Sequence, residues 1–410
     1  MQIRYLLKLG CITMLFHSFP IFAQGMPFGE CRAGYWSSNR NLDDNGSLSK
    51  ATCFVNWRPS LGESIRLGVN ARLGAHDAGD GEGINGRLRE SFLEIESGAL
   101  TWRVGRQIIA WGRSDRINPT DNLSPRDLTL LVPDDDEQRN GINAALVRYN
   151  LTHSRSITAI VAQFEANKVP QGSLPKSLIR ATKPSRPELA LKLDQSGGGI
   201  DWSISYFDGF DSFGRYRIDF AQPTKPMFHS TYERAQILGT DFAWAQGAWT
   251  MRGEFSYSHF EQSCTTCELS RRKVTRAVLG VDRDFGETAN INAQLFSVVR
   301  NSYQDPRWVP AVRKPYSLAL DRLNSEFAAQ EWGTTFRISN RVLNDRLKLE
   351  LAAIVDITNQ SLVLRPRANY AFNDSIKLGV GADHFHGDNQ TFFGSKKKNN
   401  TAFVELSLVY

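Results

Sequence analysis

The chain has 410 residues, 41% hydrophobic and 22% charged, with 32 Gly, 16 Pro, 5 Cys and a formal net charge of +6; its mean hydropathy is −0.36. Beyond the N-terminus no window approaches 18 consecutive apolar residues, which excludes a polytopic helical membrane protein. A barrel is not excluded, because its tilted strands of roughly 9 to 11 residues hide their apolar face in alternation with a polar one.

Residues 1–23 read as a secretory signal peptide: Arg4 and Lys8 lead, Leu9 to Phe22 are mostly apolar, and Ala23 supplies the small residue ahead of cleavage. Cys11 stands at the start of the apolar stretch instead of its end, which argues against lipidation. Cleavage removes two bases and no acid, leaving +4 on residues 24–410, read as one domain. That is too mild a charge for nucleic-acid binding. Four cysteines remain, and an even number in an exported chain favours disulfides. Sequence neighbours suggest Cys31 with Cys53 and Cys264 with Cys267, with three connectivities open. The strand-like flanks of Cys264 and Cys267 favour a structural clip over redox chemistry.

Period-two alternation then recurs along the chain. Ile200, Trp202, Ile204 and Tyr206 face away from Asp201, Ser203 and Ser205. Trp249, Met251, Phe255 and Tyr257 oppose Thr250, Arg252, Glu254 and Ser256, and Ile291, Ala293 and Leu295 oppose Asn290, Asn292 and Gln294. Leu347 to Val355 and Leu362 to Phe372 repeat the pattern. Aromatic residues near strand ends on the apolar face suit the two membrane interfaces. Short turns near Ser60, Ser97, Thr152, Gly197, Gln246, Gly286, Asn344 and Asp374 are interleaved with longer polar links around residues 74–85, 112–140, 164–185, 209–230, 302–324 and 386–399. The expectation is an all-β fold: an antiparallel transmembrane β-barrel of 16 to 18 strands with short periplasmic turns and long outer loops.

The last segment sets Ala402, Val404, Leu406, Leu408 and Tyr410 against Phe403, Glu405, Ser407 and Val409. It resembles the C-terminal strand of bacterial outer-membrane proteins. That resemblance implies that Leu406, Leu408 and Tyr410 are recognised by the barrel insertion machinery, and that the chain resides in the outer membrane of a Gram-negative cell among lipid and lipopolysaccharide.

Strand phase places Arg103, Arg252, Arg276, Lys348, Arg365, Arg367 and Lys377 on the lumen face, with Glu94, Glu96, Glu254, Asp282, Glu350, Asp383 and Glu405. Charges of both signs there orient and select polar solutes, or pair across strands to stiffen the wall. Arg365, Arg367 and Lys377 read as a local basic ladder suited to anions. The link after the strand from Leu100 holds four Arg and seven acids between residues 112 and 140, net −3. Its apolar run, Leu128 to Val132, predicts a constriction loop folded into the lumen, carrying Arg113, Asp115, Arg116, Asp121, Arg126 and Asp127.

Gly105-Arg106-Gln107, Trp111-Gly112, Asp115, Asn118-Pro119, Asp121 and Pro125-Arg126-Asp127 resemble a segment of uncharacterised porin-like outer-membrane barrels and, more loosely, of alginate-export barrels. The match covers residues 93–150 and implies an outer-membrane channel. Asp134 to Glu137 lacks EF-hand spacing, and His384 with His386 lacks further ligands, so no metal or other cofactor is expected. Lys396 to Lys398 reads as a lipopolysaccharide contact or a solvated loop tip. No lipase-like or protease-like motif surrounds the seven histidines, so no enzyme activity is expected. The function read from the sequence is passive passage of hydrophilic, anionic solutes. The alternatives are a non-conducting or exporting barrel that handles polysaccharide and, third, a barrel hydrolase; oligomeric state, including a homo-oligomer, is left open.

Overall fold

The computed structural model describes residues 25–38, 48–78, 81–130, 132, 134–169, 179–182, 184–219, 227–261, 273–301, 303 and 305–410. The signal-peptide segment and the Cys264–Cys267 pair fall outside the described residues. The first seven strands are β1 (Phe28–Trp36), β2 (Leu48–Trp57), β3 (Ile65–Ala78), β4 (Gly81–Ser97), β5 (Leu100–Gln107), β6 (Ile142–Asn150) and β7 (Arg155–Ala162). Then come β8 (Ile179–Thr182), β9 (Glu188–Gln195), β10 (Ile200–Phe210), β11 (Arg215–Asp219), β12 (Met227–Thr231), β13 (Arg234–Gln246) and β14 (Trp249–Phe260). The last seven are β15 (Lys273–Phe285), β16 (Ala289–Arg300), β17 (Gln330–Val342), β18 (Leu347–Asp356), β19 (Ser361–Ala371), β20 (Ile376–His386) and β21 (Thr401–Val409).

Omitting β8, β11 and β12, these strands form one 18-stranded antiparallel sheet in which each pairs with its sequence neighbour. It closes where β21 pairs with β1, from Glu30 opposite Val409 to Trp36 opposite Phe403. Closure removes both free edges, the requirement for a sheet in hydrocarbon. Alternation decides the faces: on β14 Trp249, Met251 and Phe255 are exposed outward while Glu254 and Ser256 are buried inward. An outward surface this apolar all round is suited to lipid and unsuited to water. Among the described residues no helix is long and apolar enough to cross a membrane.

One end of the barrel carries short turns. In two of them, Gly98-Ala99 and Gly247-Ala248, glycine takes φ of +58° at the first loop position, a conformation a side chain resists. The other end carries the long loops, except for residues 357–360 between β18 and β19 and for the expected long link at 74–85, whose described residues are instead strand, β3 running to Ala78 and β4 starting at Gly81 with the pairing continued to their ends. This asymmetry sets the short turns on the periplasmic side.

Cys31 and Cys53 stand directly opposite each other on β1 and β2, joined by a disulfide with Cα atoms 4.0 Å apart. Their strand phase, shared with exposed Tyr35, sets the bond on the outward face beside the β1–β21 seam. The Cys31→Ser/Cys53→Ser chain is expected to lose about 3 kcal/mol, since the bridge closes a 22-residue separation. A urea titration read by gel mobility of the folded barrel checks this, and an unchanged midpoint would deny the bridge a role.

The long links contain order that alternation did not signal. β8 pairs in parallel with β12, which pairs antiparallel with β11, as a separate three-stranded sheet above the barrel. Against it packs α1 (Lys314–Asn324), an 11-residue helix in the link from β16 to β17, with Ile218 and Leu320 buried at the contact. Arg215 and Arg300 both reach Glu326 just beyond the helix, at 2.8 and 3.7 Å. Asp321 on α1 accepts a hydrogen bond from the Tyr303 hydroxyl at 3.1 Å. Burial, with Glu326 and Asp305 nearby and Arg300 opposing them, pushes the Asp321 carboxyl up to about 7 from an ordinary 3.8. A raised folded-state value means the fold holds the proton, so this contribution is complete below pH 3.8 and fades as pH rises to about 7. Protection of α1 in hydrogen exchange, corrected for intrinsic rates, is therefore expected to be higher at pH 5 than at pH 8. Asp321→Asn should abolish the difference; a difference that survives contradicts the assignment.

Candidate functional site

The third outer loop, residues 108–141, leaves β5 and turns into the barrel. Its apolar residues explain why: Ile109, Trp111 and Leu123 pack in one buried cluster with inward-facing Ile142, Leu146, Ile160, Phe207 and Ile237 of the wall. Each buried side chain of that size contributes about 1.5 to 3 kcal/mol. The loop's two limbs hold each other, since Asp127 N donates to Gln138 O at 2.7 Å and Asn140 N to Pro125 O at 2.8 Å.

From that apolar seat the polar part of the loop reaches the walls. Glu254 on β14 is enclosed by the loop: its carboxylate accepts from Arg113 N at 2.7 Å, Ser114 N at 2.6 Å, Asn118 Nδ2 at 3.2 Å, Thr120 N at 3.3 Å and Thr120 Oγ1 at 3.0 Å. A carboxylate with five donors is a strong anchor, because hydrogen bonds to a charged group are the strong class. Gly112 makes the approach feasible. Its φ is +92°, and a Cβ there would fall 2.5 Å from the Glu254 Oε1.

Other contacts spread around the circumference. Arg113 donates to Asp194 on β9 at 3.0 Å and pairs with Asp241 on β13. Asp115 pairs with Arg337 on β17 at 3.5 Å, and Arg116 with Glu350 on β18 at 3.6 Å. On the opposite limb Asp135 takes Arg365 of β19 at 2.7 Å, and Glu137 takes Arg32 of β1 at 2.5 Å. Contacts to β1, β9, β13, β14, β17, β18 and β19 require the loop to cross the lumen. Asp121, Arg126 and Asp127 instead hold the loop to itself and to its neighbour: Asp121 pairs with Arg139 and Arg126, and Asp127 with Lys168. Burial pushes the Asp121 carboxyl up, against the downward pull of Arg139 and Arg126. Burial likewise pushes Glu137 up despite the Arg32 clamp.

A bulge at Asn70/Ala71 in the β3–β4 pairing adds a residue to β4, so that consecutive Arg89 and Glu90 are both buried. Arg89 donates to Arg139 O at 3.0 Å and Glu90 accepts from Ile108 N at 2.9 Å, fixing the two feet of the loop.

The remaining inward positions have partners of their own. Arg103 donates to Glu94 at 2.7 Å, Arg252 pairs with Asp282, and Lys348 lies 3.4 Å from Glu350. Arg276 faces Ser256 and Val298, and Lys377 faces Ser407. The expected basic ladder is corrected here. Asp383, whose side chain is wholly buried, lies 2.5 Å from Arg367 and 3.6 Å from Arg365, and Asp135 comes from the loop to complete the neutralisation. Asp135 is 230 residues from Arg365 in sequence, too remote for strand phase to reveal. Arg32, Arg89, Asp194, Asp241 and Arg337 were missed as partners of the loop, although alternation on their strands carried an inward signal for most of them. Among the described residues no group of three His, Cys, Asp or Glu is placed to hold a metal ion. Leu406 and Leu408 lie on the outward face of β21, half exposed like Tyr410 just beyond the strand.

No protein-family model matches the chain, and no curated protein matches it in sequence. Solved structures match over nearly the whole length. OccK5 (OpdH) of Pseudomonas aeruginosa is 11% identical with a TM-score of 0.54, covering 94% of this chain and 97% of its own. OccAB1 of Acinetobacter baumannii is 9% identical with a TM-score of 0.57, covering 95% and 97%. OccK1 (OpdK) of P. aeruginosa is 10% identical with a TM-score of 0.57, covering 94% and 98%. The 18-stranded closed barrel, its lipid-suited outer face and these likenesses together give the chain the fold of the Gram-negative outer-membrane porins.

Proposed function

We propose that the protein is a passive channel for small hydrophilic solutes, with the third outer loop as its constriction. The observation that carries this reading is the anchoring of that loop across the lumen by Glu254 on one wall and by Arg365 and Arg32 on others. A loop needed only for surface recognition has no reason to seat its apolar side on the inner wall. Solutes pass hydrated, beside paired charges of both signs whose local fields orient them. The preference for anions rests on Arg148, which has no carboxylate partner among the described residues and lies on the periplasmic side of the loop. The same reading assigns β21 and the Tyr410 that follows it to recognition by the insertion machinery, and the Lys396 to Lys398 tip to lipopolysaccharide phosphates.

The test is swelling of proteoliposomes loaded with dextran and diluted into isotonic glucose or sodium gluconate. Swelling in both, faster than in protein-free vesicles, supports the channel. Vesicles that stay shrunken in both would leave the barrel as a non-conducting surface binder.

A further inference from the structure

Between the third loop and the short turns the lumen holds a cavity of about 370 Å³. Ile108 to Trp111 of the loop roof it, the inward faces of β5, β6, β7 and β9 wall it, and Thr152 to Ser154 and Ser196 rim it at the periplasmic end. Four cations line it, Arg103, Arg148, Arg155 and Lys192. Three are committed: Arg103 to Glu94 at 2.7 Å, Lys192 to Asp194 at 3.1 Å, and Arg155, at the rim, to the Gln195 side-chain oxygen at 2.6 Å. Arg148 is not. Its one hydrogen bond among the described residues runs from Nε to the Thr158 hydroxyl at 3.4 Å, and the side chain stands exposed in the lumen with no carboxylate in ion-pair range. Around it are Asn150, Ser156 and Thr158, neutral groups that donate and accept, while the Trp111 ring closes the roof.

We infer that this cavity is a binding site for a small hydroxylated organic anion, entered from the periplasmic side. Arg148 supplies the charge for a carboxylate, the surrounding hydroxyls and amide replace water around the ligand's hydroxyl groups, and the indole offers a face for its carbon skeleton. Each part is needed for a different reason. The guanidinium fork fixes the carboxylate in two hydrogen bonds. The polar walls make a hydroxylated body cheaper to desolvate than an alkyl one, because its hydroxyl groups regain partners. The volume matches the lower range of small-molecule sites. The loop above makes the site one-sided, since a ligand from outside has to pass the constriction first. In the channel proposed above, upon which the sidedness rests, this is the last station before the periplasm.

The experiment has two arms. In planar bilayers sodium gluconate is added to one side at a time, with chloride carrying the current. Saturable block from the periplasmic side, weaker from the other side and weaker with acetate at equal concentration, is expected. Arg148→Gln should weaken that block at least about tenfold, the scale of a charge-assisted hydrogen bond, and Arg148→Lys should restore part of it. Equal block from both sides, equal block by acetate, or block unchanged in Arg148→Gln each overturns the site. The second arm is calorimetric titration of the refolded barrel in detergent with gluconate and with glucose, which reads binding whether or not the barrel conducts. Gluconate binding lost in Arg148→Gln, with glucose bound far more weakly, supports the site even where no current flows and the channel reading fails; no gluconate binding refutes the site even in a conducting barrel.

Discussion

Replacing Glu254 with alanine is expected to raise single-channel conductance about twofold and to make the current noisy, as the third loop comes away from β14. The argument is one of counting. Five donors from four residues of the loop, two of them on Thr120, lose their acceptor at once. The loss is on the order of 5 kcal/mol for the anchored state. The barrel itself should persist, because strand pairing of β14 with β13 and β15 is made by the backbone. Glu254→Gln keeps the shape and one acceptor oxygen, and so should fall between wild type and alanine. A Glu254→Ala channel with unchanged conductance and noise would mean that the loop is held by its apolar seat alone.

Asp383→Asn should have the second largest effect, in two readouts. Asp383 neutralises Arg365 and Arg367 from a fully buried position. Removing its charge leaves two inward guanidinium groups with Asp135 as their remaining carboxylate, at a cost of about 3 to 5 kcal/mol for a broken buried pair. The urea midpoint falls, and in the folded channel the reversal potential in a salt gradient moves towards anion preference as the two cations are uncovered. The paired Arg365→Ala/Arg367→Ala chain should show a much smaller selectivity change than its sequence alone implies, since in wild type both charges are already compensated. Selectivity in Asp383→Asn equal to wild type would place these arginines away from the ion path.

Alternation made the barrel legible because its cause is local. Side chains on a strand point to opposite faces with period two, so Trp249 to Tyr257 or Leu347 to Val355 declare their lipid face with no knowledge of their neighbours. Turn residues were equally local: all eight positions read as short turns, from Ser60 to Asp374, fall at connections of the periplasmic end. The direct pairing of Cys31 with Cys53 was readable for the same reason, one hairpin apart. The loop's path was only half legible. An inward fold was expected from the apolar run Leu128 to Val132, but Ile109, Trp111 and Leu123 make the seat on the wall, and the polar partners were hidden because Glu254 lies more than a hundred residues from the groups it binds and the closure of the barrel, not sequence distance, brings them together. The same limit hid the compensation of Arg365 by Asp135. α1 went unseen for a different reason. It is short and begins with Pro315 in its first turn, so the helical spacing of Tyr316, Leu320 and Leu323 spans too few residues to stand out in a link read as polar, and its stability comes from the loop sheet it covers.

The most direct test of the central claim is single-channel recording of the refolded wild-type protein in a planar bilayer, with the reversal potential measured across a salt gradient. Stable ohmic steps with a modest anion preference are the predicted result, reflecting an open but narrowed lumen whose charges are mostly paired. A bilayer that stays silent with correctly folded protein would contradict the account, showing that the third loop and the outer sheet with α1 seal the barrel rather than narrow it.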